Sequence, residues 1–469
     1  MKKLLLLLCP IILFSLIFGH NIFAQTNSVP KIKKVQIEKK YPKKIKIKWK
    51  KYKNIDNFQV RVLKKKNGTY KIKRKIKVNG EKRRKTVKKL RPNKTYYFRV
   101  RAKKNGEWGK YSKRVKAKTK NLPVTVEGLI QPSDLEYIGA FRMPNNNIDY
   151  EIDWYWGGSA LTYNPNNNSL IGAGHPYNLY FSEISIPDPV ISANQKLSDL
   201  NRAATIQGFS DVVGELVDVS SLELPRIGLE YLDNKLYFSV GEHYQDNSDL
   251  THGYSGTNLS NPDPQGLWRL KNRSPYSTND YIFQTLDGDL VSGRFRDGGW
   301  SGMGPSLFEF SNNYNSNIDN TTLLLYDSSE NCTENCNTLN NYHHSDEWVG
   351  GAWLYKDNKE AVIFAGTKGT GDCWYGDDNE ECMDCDGDRG WWSTGFKGQI
   401  LFYDPSDFSE TSPQPYATLD IDDYLFNVNS SQQKYHISSV AYDRSGNYLY
   451  IMEYLVDNDK PLVHTWKIN

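Results

Sequence analysis

The sequence predicts an all-β protein built of two unlike modules, and three observations carry that expectation. Short runs of alternating polarity recur along the chain, little of it has the 3.6-residue periodicity of an amphipathic helix, and one hairpin pattern repeats through the second part. The charge divides at the same place as the patterning. Residues 31–120 hold 39 Lys and Arg against 4 Asp and Glu, whereas residues 121–469 hold 19 against 50. The formal net charge of +6 therefore conceals a cationic block joined to an anionic one. The first block should attract polyanions, and the second cations or neutral ligands.

The chain opens with Met1-Lys2-Lys3, an apolar run from Leu4 to Phe18 and a small-residue exit at Ala24, which reads as a secretory signal peptide over residues 1–25. Cys9 lies inside the apolar run, which argues against a lipid anchor there. No later stretch approaches the ~18–20 apolar residues that span a bilayer. The expectation is a secreted protein, released or surface-associated, with no transmembrane segment. In an oxidising compartment Cys332, Cys336, Cys373, Cys382 and Cys385 are disulfide candidates before they are metal ligands. Their odd number leaves one over. A mean hydropathy of −0.66 with 13% aromatic residues implies a polar surface over cores of Tyr, Trp and Phe.

In the cationic block, Ile45-Lys-Ile-Lys-Trp49 and Phe58-Gln-Val-Arg-Val62 alternate between apolar and cationic residues, as strands with one buried face do. Further on stand Leu90-Arg-Pro92-Asn-Lys-Thr-Tyr96-Tyr-Phe98-Arg-Val100-Arg-Ala102 and Asn105-Gly-Glu-Trp-Gly-Lys-Tyr-Ser112. With Trp49 on the second strand and Tyr96 at the tyrosine-corner position, residues 28–120 resemble a fibronectin type III domain. Lys94 stands where that family usually has a small polar residue. The resemblance implies a β-sandwich that acts as a spacer or attachment unit and has no catalytic residues of its own. Its charge points to an extracellular polyanion, held in a salt-sensitive and sequence-blind way. Specific nucleic-acid reading is not expected, because most of the aromatics fall at core-facing positions.

After a linker at residues 121–126 the chain repeats itself. Gly157-Gly-Ser-Ala-Leu-Thr-Tyr163, Gly228-Leu-Glu-Tyr231, Gly350-Gly-Ala-Trp-Leu-Tyr355 and Ile437-Ser-Ser-Val-Ala-Tyr442 each carry small residues and end in Tyr before a polar turn. A second strand follows each time: Leu170–Gly174, Leu236–Gly241, Ala361–Gly366 and Leu449–Glu453. A third element closes most units, as in Tyr180–Ile186, Gly266–Leu270, Gly398–Tyr403 and Val463–Ile468. A weaker copy begins at Gly302. Residues 126–469 thus resemble a β-propeller of about five blades, with Leu135–Phe141 expected to complete the last one.

That resemblance implies that residues before each first strand and after each second strand share one face. The candidates there are Asp153, Trp156, His175, His243, Trp300, Trp348 and His436 for binding, with the tryptophans as flat surfaces for sugar rings. A polysaccharide is the expected ligand. Hydrolysis would need two flanking carboxyl groups, with Glu230, Asp346 and Glu453 as the catalytic candidates beside Asp153 and Glu347. A polysaccharide lyase would instead use a histidine base and a cation, from among His175, His243, His436, Arg226 and Lys368. The rival reading is a non-catalytic adhesion or matrix-binding protein, and a third has the two modules docking on each other. The acidic run at residues 377–388, with Asp384, Asp386 and Asp388 in alternation, suits Ca²⁺, although Gly387 comes too early for an EF-hand. A plain acidic loop and a Zn site are the alternatives.

Overall fold

The computed structural model describes residues 29–469 apart from residue 67 and residues 121–125, 146–148, 223–224, 243–248, 274–277, 295–303, 312–316, 327–337, 376–390, 410–411 and 428–435. Its contacts divide into two units, residues 1–122 and 123–469. The described residues are all-β, with short 3-10 turns and no α-helix.

The first unit is a two-sheet sandwich. One sheet contains β1 (Gln36–Lys40), β2 (Ile45–Lys48) and β5 (Arg84–Val87); the other contains β3 (Asn57–Lys66), β4 (Thr69–Asn79), β6 (Thr95–Lys104), β7 (Glu107–Trp108) and β8 (Val115–Lys118). The alternation read from the sequence sends Ile45, Ile47, Phe58, Val60, Val62, Phe98 and Val100 inward around Trp49. Each such side chain taken out of water contributes about 1.5–3 kcal/mol. Tyr96 is buried, and its hydroxyl accepts the backbone N–H of Arg91 at 2.9 Å.

The second unit begins with β9 (Gly128–Leu129) and β10 (Leu135–Arg142), and continues into five sheets. Sheet I holds β11 (Leu161–Asn164), β12 (Ser169–Ala173), β13 (Phe181–Ser185) and β14 (Thr205–Ser210). Sheet II holds β15 (Arg226–Tyr231), β16 (Leu236–Gly241), β17 (His252–Ser255) and β18 (Gln265–Leu270). Sheet III holds β19 (Tyr281–Gln284), β20 (Leu290–Gly293), β21 (Leu307–Phe310) and β23 (Asn320–Leu324), while β22 (Asn317–Ile318) pairs with β18. Sheet IV holds β24 (Glu347–Lys356), β25 (Lys359–Tyr375), β26 (Trp391–Tyr403) and β27 (Ala417–Asp420). Sheet V holds β28 (Ile437–Asp443), β29 (Tyr448–Asp457), β30 (Lys460–Ile468) and, completing it from the other end of the unit, β10.

The repeat has a local cause. Tyr163, Tyr231, Tyr355 and Tyr442 donate their hydroxyls to the side-chain oxygens of Asn168, Asn234, Asn358 and Asn447 at 2.8, 2.6, 3.0 and 3.2 Å. All four asparagines sit in the turn after the first strand with left-handed φ between 52° and 66°, which Asn tolerates better than most residues. Sheet III lacks the clamp, and its first strand is β19; the segment from Gly302, read as the start of a unit, leads instead into its third strand β21. In sheet II the Gly266–Leu270 run is the fourth strand and β17 the third.

Central strands are apolar on both faces, because each sheet is covered twice. In β25, Ala361, Ile363 and Ala365 pack toward sheet V, while Val362 and Phe364 pack toward sheet III. Separate cores likewise join sheets I and II, II and III, and V and I. The first strands β11, β15, β19, β24 and β28 meet around a cavity of about 10 Å³, room for one water. Its lining includes Ser159, Ala160, Gly228, Gly350, Gly351 and Ser439. A Cβ on Gly228 would lie 2.7 Å from the Tyr281 backbone, and one on Gly350 2.8 Å from the Val440 nitrogen, which is why the first strands carry small residues.

Candidate functional site

The register sets the start of each first strand beside the end of the second: Arg226 faces Gly241, Glu347 faces Thr367 and Ile437 faces Glu453. Most of the candidate residues lie at this end. Asp153, just before sheet I, is buried and forms an ion pair with the buried Lys460 at the start of β30. Its backbone oxygen accepts the His175 N–H at 3.0 Å.

His175 is buried, yet the rings around it are open to solvent. Tyr177, Trp156 and Tyr150 have ring centroids 5.0, 5.5 and 5.9 Å from its imidazole, with exposures of 60%, 43% and 56%. Nδ1 accepts the Tyr177 backbone N–H at 3.3 Å, and Nε2 has no hydrogen-bond partner. Burial lowers the His175 pKa, opposed by the Glu151 charge. Trp156 is held in the left-handed region at φ +50°, while its backbone N–H donates to the Asp459 backbone oxygen at 2.8 Å.

The carboxylates read as catalytic are committed elsewhere. Asp346 is buried; it accepts from Lys368 Nζ at 2.9 and 3.1 Å, from the Gly369 N–H at 2.9 Å and from the His343 N–H at 3.0 Å. Burial raises its pKa against those donors. Glu453 is buried and accepts the N–H groups of Phe426 and Asn427 at 2.8 and 2.6 Å. It also bonds His464 Nε2 at 2.8 Å, and His464 Nδ1 bonds the Tyr137 hydroxyl at 3.0 Å, which ties β29 through β30 to β10. Glu230 is not at this end at all, since it lies one residue from the hairpin turn of sheet II. Burial there pushes its carboxyl up to about 7, with Arg444 opposing.

Two further expectations change. Trp348 is 1% exposed and belongs to the core between sheets III and IV rather than to a surface for sugar rings, because the alternation of β24 turns it inward. His436 is buried with neither ring nitrogen hydrogen-bonded, and burial lowers its pKa to about 4. Its Nδ1 is 3.9 Å from Asp422 Oδ1. Among the lyase candidates, Lys368 is held by Asp346, and Arg226 is half-buried at the start of β15.

His243, Trp300, Asp384, Asp386, Asp388, Cys332, Cys336, Cys382, Cys385 and residues 1–25 lie outside the described residues. Cys373 is half-buried on β25. Among the described residues no three His, Cys, Asp or Glu side chains come together as a metal site, and no helix is long and apolar enough to cross a membrane. The sequence reading missed Tyr150 and Tyr177, although both flank candidates it had chosen. It also missed Lys460, whose partner Asp153 is 307 residues away.

In the first unit Lys46 and Arg84 pair with Glu38, while several other cations lie against π faces and carbonyls. Arg61, Arg101 and Arg99 lie over the Tyr111 ring at 4.0, 4.7 and 5.5 Å. Arg101 also covers Trp108 at 4.5 Å, and Arg114 covers Tyr70 at 3.9 Å. Such contacts contribute about 0.5–1 kcal/mol each at exposed sites, and here they occupy the outward rings.

A family model for the fibronectin type III domain matches residues 29–118, and these residues form such a domain. Similar solved structures include the fibronectin type-III domain of human fibronectin type III domain containing protein 3, 19% identical, covering 21% of this chain and 91% of that chain with a TM-score of 0.17. Another is the FN5 domain of Drosophila Lar, 20% identical, covering 19% of this chain and 96% of that chain with a TM-score of 0.18. No curated protein matches the chain.

Proposed function

We propose that residues 126–469 are a five-bladed β-propeller of a secreted protein that binds an extracellular polysaccharide at the rim formed by Tyr150, Trp156 and Tyr177. The fibronectin type III domain is the attachment unit, drawn to an anionic extracellular polymer by its charge. The propeller reading is supported by five sheets packed in sequence with sheet V against sheet I and by five first strands around one narrow cavity. The observation that carries the ligand class is the cluster of three solvent-facing rings around a buried histidine. Flat amphipathic rings suit the apolar faces of sugars, and the neighbouring polar groups suit their hydroxyls.

Binding without cleavage is the reading the described residues favour. Asp346 and Glu453 are saturated by donors, and Glu230 stands at the opposite end of its strand, so these three do not flank a common bond as hydrolysis requires.

The test is titration of the mature protein and its Trp156→Ala and Tyr177→Ala variants with neutral and uronate-rich polysaccharides, read by affinity electrophoresis. Each variant should bind at least about tenfold more weakly, equal to ~1.4 kcal/mol. Unchanged retention would remove the site. Reducing ends or unsaturated-uronate absorbance appearing on incubation would replace the binding reading with a hydrolase or a lyase.

A further inference from the structure

The fibronectin type III domain carries a cleft that the charge count alone does not reveal. The core-facing row of β3 runs Phe58, Val60, Val62, and the residues facing them on β6 are Ala102, Val100 and Phe98. The purely aliphatic and phenylalanine part of this row ends at Val62 and Phe98. Beyond them stand Lys64 and Tyr96, and the chain leaving β5 on the other sheet crosses opposite as Lys88-Lys89-Leu90-Arg91. The two sheets therefore part into a cleft of about 360 Å³, lined by Val62, Lys64, Lys73, Arg74, Lys89, Leu90, Arg91 and Tyr96, within the size range of ligand pockets.

The cleft is built rather than incidental. The β3–β4 pairing slips between Val62 and Leu63, which leaves Lys73 as the extra residue of a bulge at the rim. The Arg74 guanidinium donates to the Lys88 oxygen at 2.5 Å, tying β4 to the opposite chain. Tyr96 holds that chain through the Arg91 N–H, and the Lys64 ammonium lies 4.9 Å from the Tyr96 ring centroid. Leu90 and Tyr96, both buried, give an apolar floor. Five cations thus surround the cleft, none of the domain's four carboxylates lines it, and no ion pair to these five forms among the described residues.

We propose that this cleft is a binding site for a polysaccharide bearing sulfate or carboxylate groups. The proposal rests on the reading of this domain as the attachment unit and locates where attachment occurs. Arg74 and Arg91 present planar forks that suit planar or tetrahedral oxyanions, and the lysines add point charges. Nucleic acid fits less well, since base stacking needs open rings and the one ring in the cleft is buried under Lys64.

The experiment compares the mature wild type, a cleft variant and a charge-matched control, measured against dextran sulfate, polygalacturonate and a single-stranded oligonucleotide at physiological salt. The cleft variant combines K64Q, K73Q, K89Q and R91Q; the control combines K50Q, K53Q, K110Q and K113Q at exposed positions elsewhere on the domain. A third variant, K64R with K73R and K89R, keeps the charge, and thermal melts establish that each variant folds. The cleft variant should lose at least about tenfold in affinity for one of the polysaccharides, with the control losing under about threefold and the arginine variant binding like wild type. Equal losses in the cleft variant and the control would leave attachment by bulk charge and overturn the cleft. Tighter binding of the oligonucleotide than of either polysaccharide would overturn the choice of ligand. No retention of the wild type on any of the three would overturn the attachment reading itself.

Discussion

Glu230 gives the most quantitative prediction. Its carboxyl sits where three first strands converge, with Thr162 Oγ1 of β11 donating at 3.4 Å and Gln284 of β19 and Arg444 beyond β28 as neighbours. The residue as a whole is half-buried while the carboxyl is enclosed. Desolvation moves its pKa from 4.5 to about 7. Below pH 4.5 both folded and unfolded chains hold the proton. Between 4.5 and 7 the unfolded chain releases it first, so the folded unit loses stability as pH rises, and above 7 the loss is complete. A tenfold change in a protonation equilibrium equals ~1.4 kcal/mol, which sets an upper figure of about 3–4 kcal/mol for this carboxyl with the opposing Arg444 charge already included; partial exposure of the residue reduces it to about 2–3 kcal/mol. Urea unfolding of wild type and Glu230→Gln, followed in the second unit's transition at pH 4.5, 6, 7 and 8, measures this directly. Glutamine does not titrate, and groups that do not interact with Glu230 cancel in the difference. The variant should gain about 2–3 kcal/mol over wild type between pH 4.5 and 8. A difference flat within about 0.5 kcal/mol would refute the argument that the carboxyl is enclosed.

Gly350→Ala should cost about 1–3 kcal/mol, because its Cβ would meet the Val440 backbone nitrogen at 2.8 Å, whereas a Cβ on Gly208 would have nothing within 4 Å; melts of Gly350→Ala and Gly208→Ala should therefore separate clearly. Arg142→Met removes a two-pronged contact of 2.7 and 2.8 Å to the buried Asp457. Loss of one partner from a buried pair costs about 3–5 kcal/mol, and since Arg202 remains 3.3 Å from Asp457, a loss of about 2–3 kcal/mol is expected by chemical unfolding.

The strands that could be read in the sequence are those whose side chains answer to a local rule. Four first strands announced themselves through a tyrosine that reaches an asparagine a few residues on, and the sheet without that clamp was misplaced by about twenty residues. The outer strands β14 and β27 escaped notice because their side chains are half exposed and their alternation is weak. The candidate site was legible in its location and not in its chemistry. An isolated Asp or Glu beside a strand end looks free, whereas Asp153 and Glu453 are bound by groups from other strands or loops. Such pairings leave no spacing in the chain. Trp348 was misjudged for a simpler reason, since one step along an alternating strand exchanges surface for core.

Sheet V joins Tyr137 of β10 to His464 of β30 across 327 residues. At a synthesis rate of about 5–20 residues per second, β10 exists for roughly 16–65 s before its partner has been made. During that interval an eight-residue strand has an unpaired edge in search of hydrogen bonds, the kind of edge on which chains associate wrongly. The feature that completes sheet V thus sets its period of greatest exposure to misassembly, and a slow step limited by the docking of β10 is the kinetic signature it should leave.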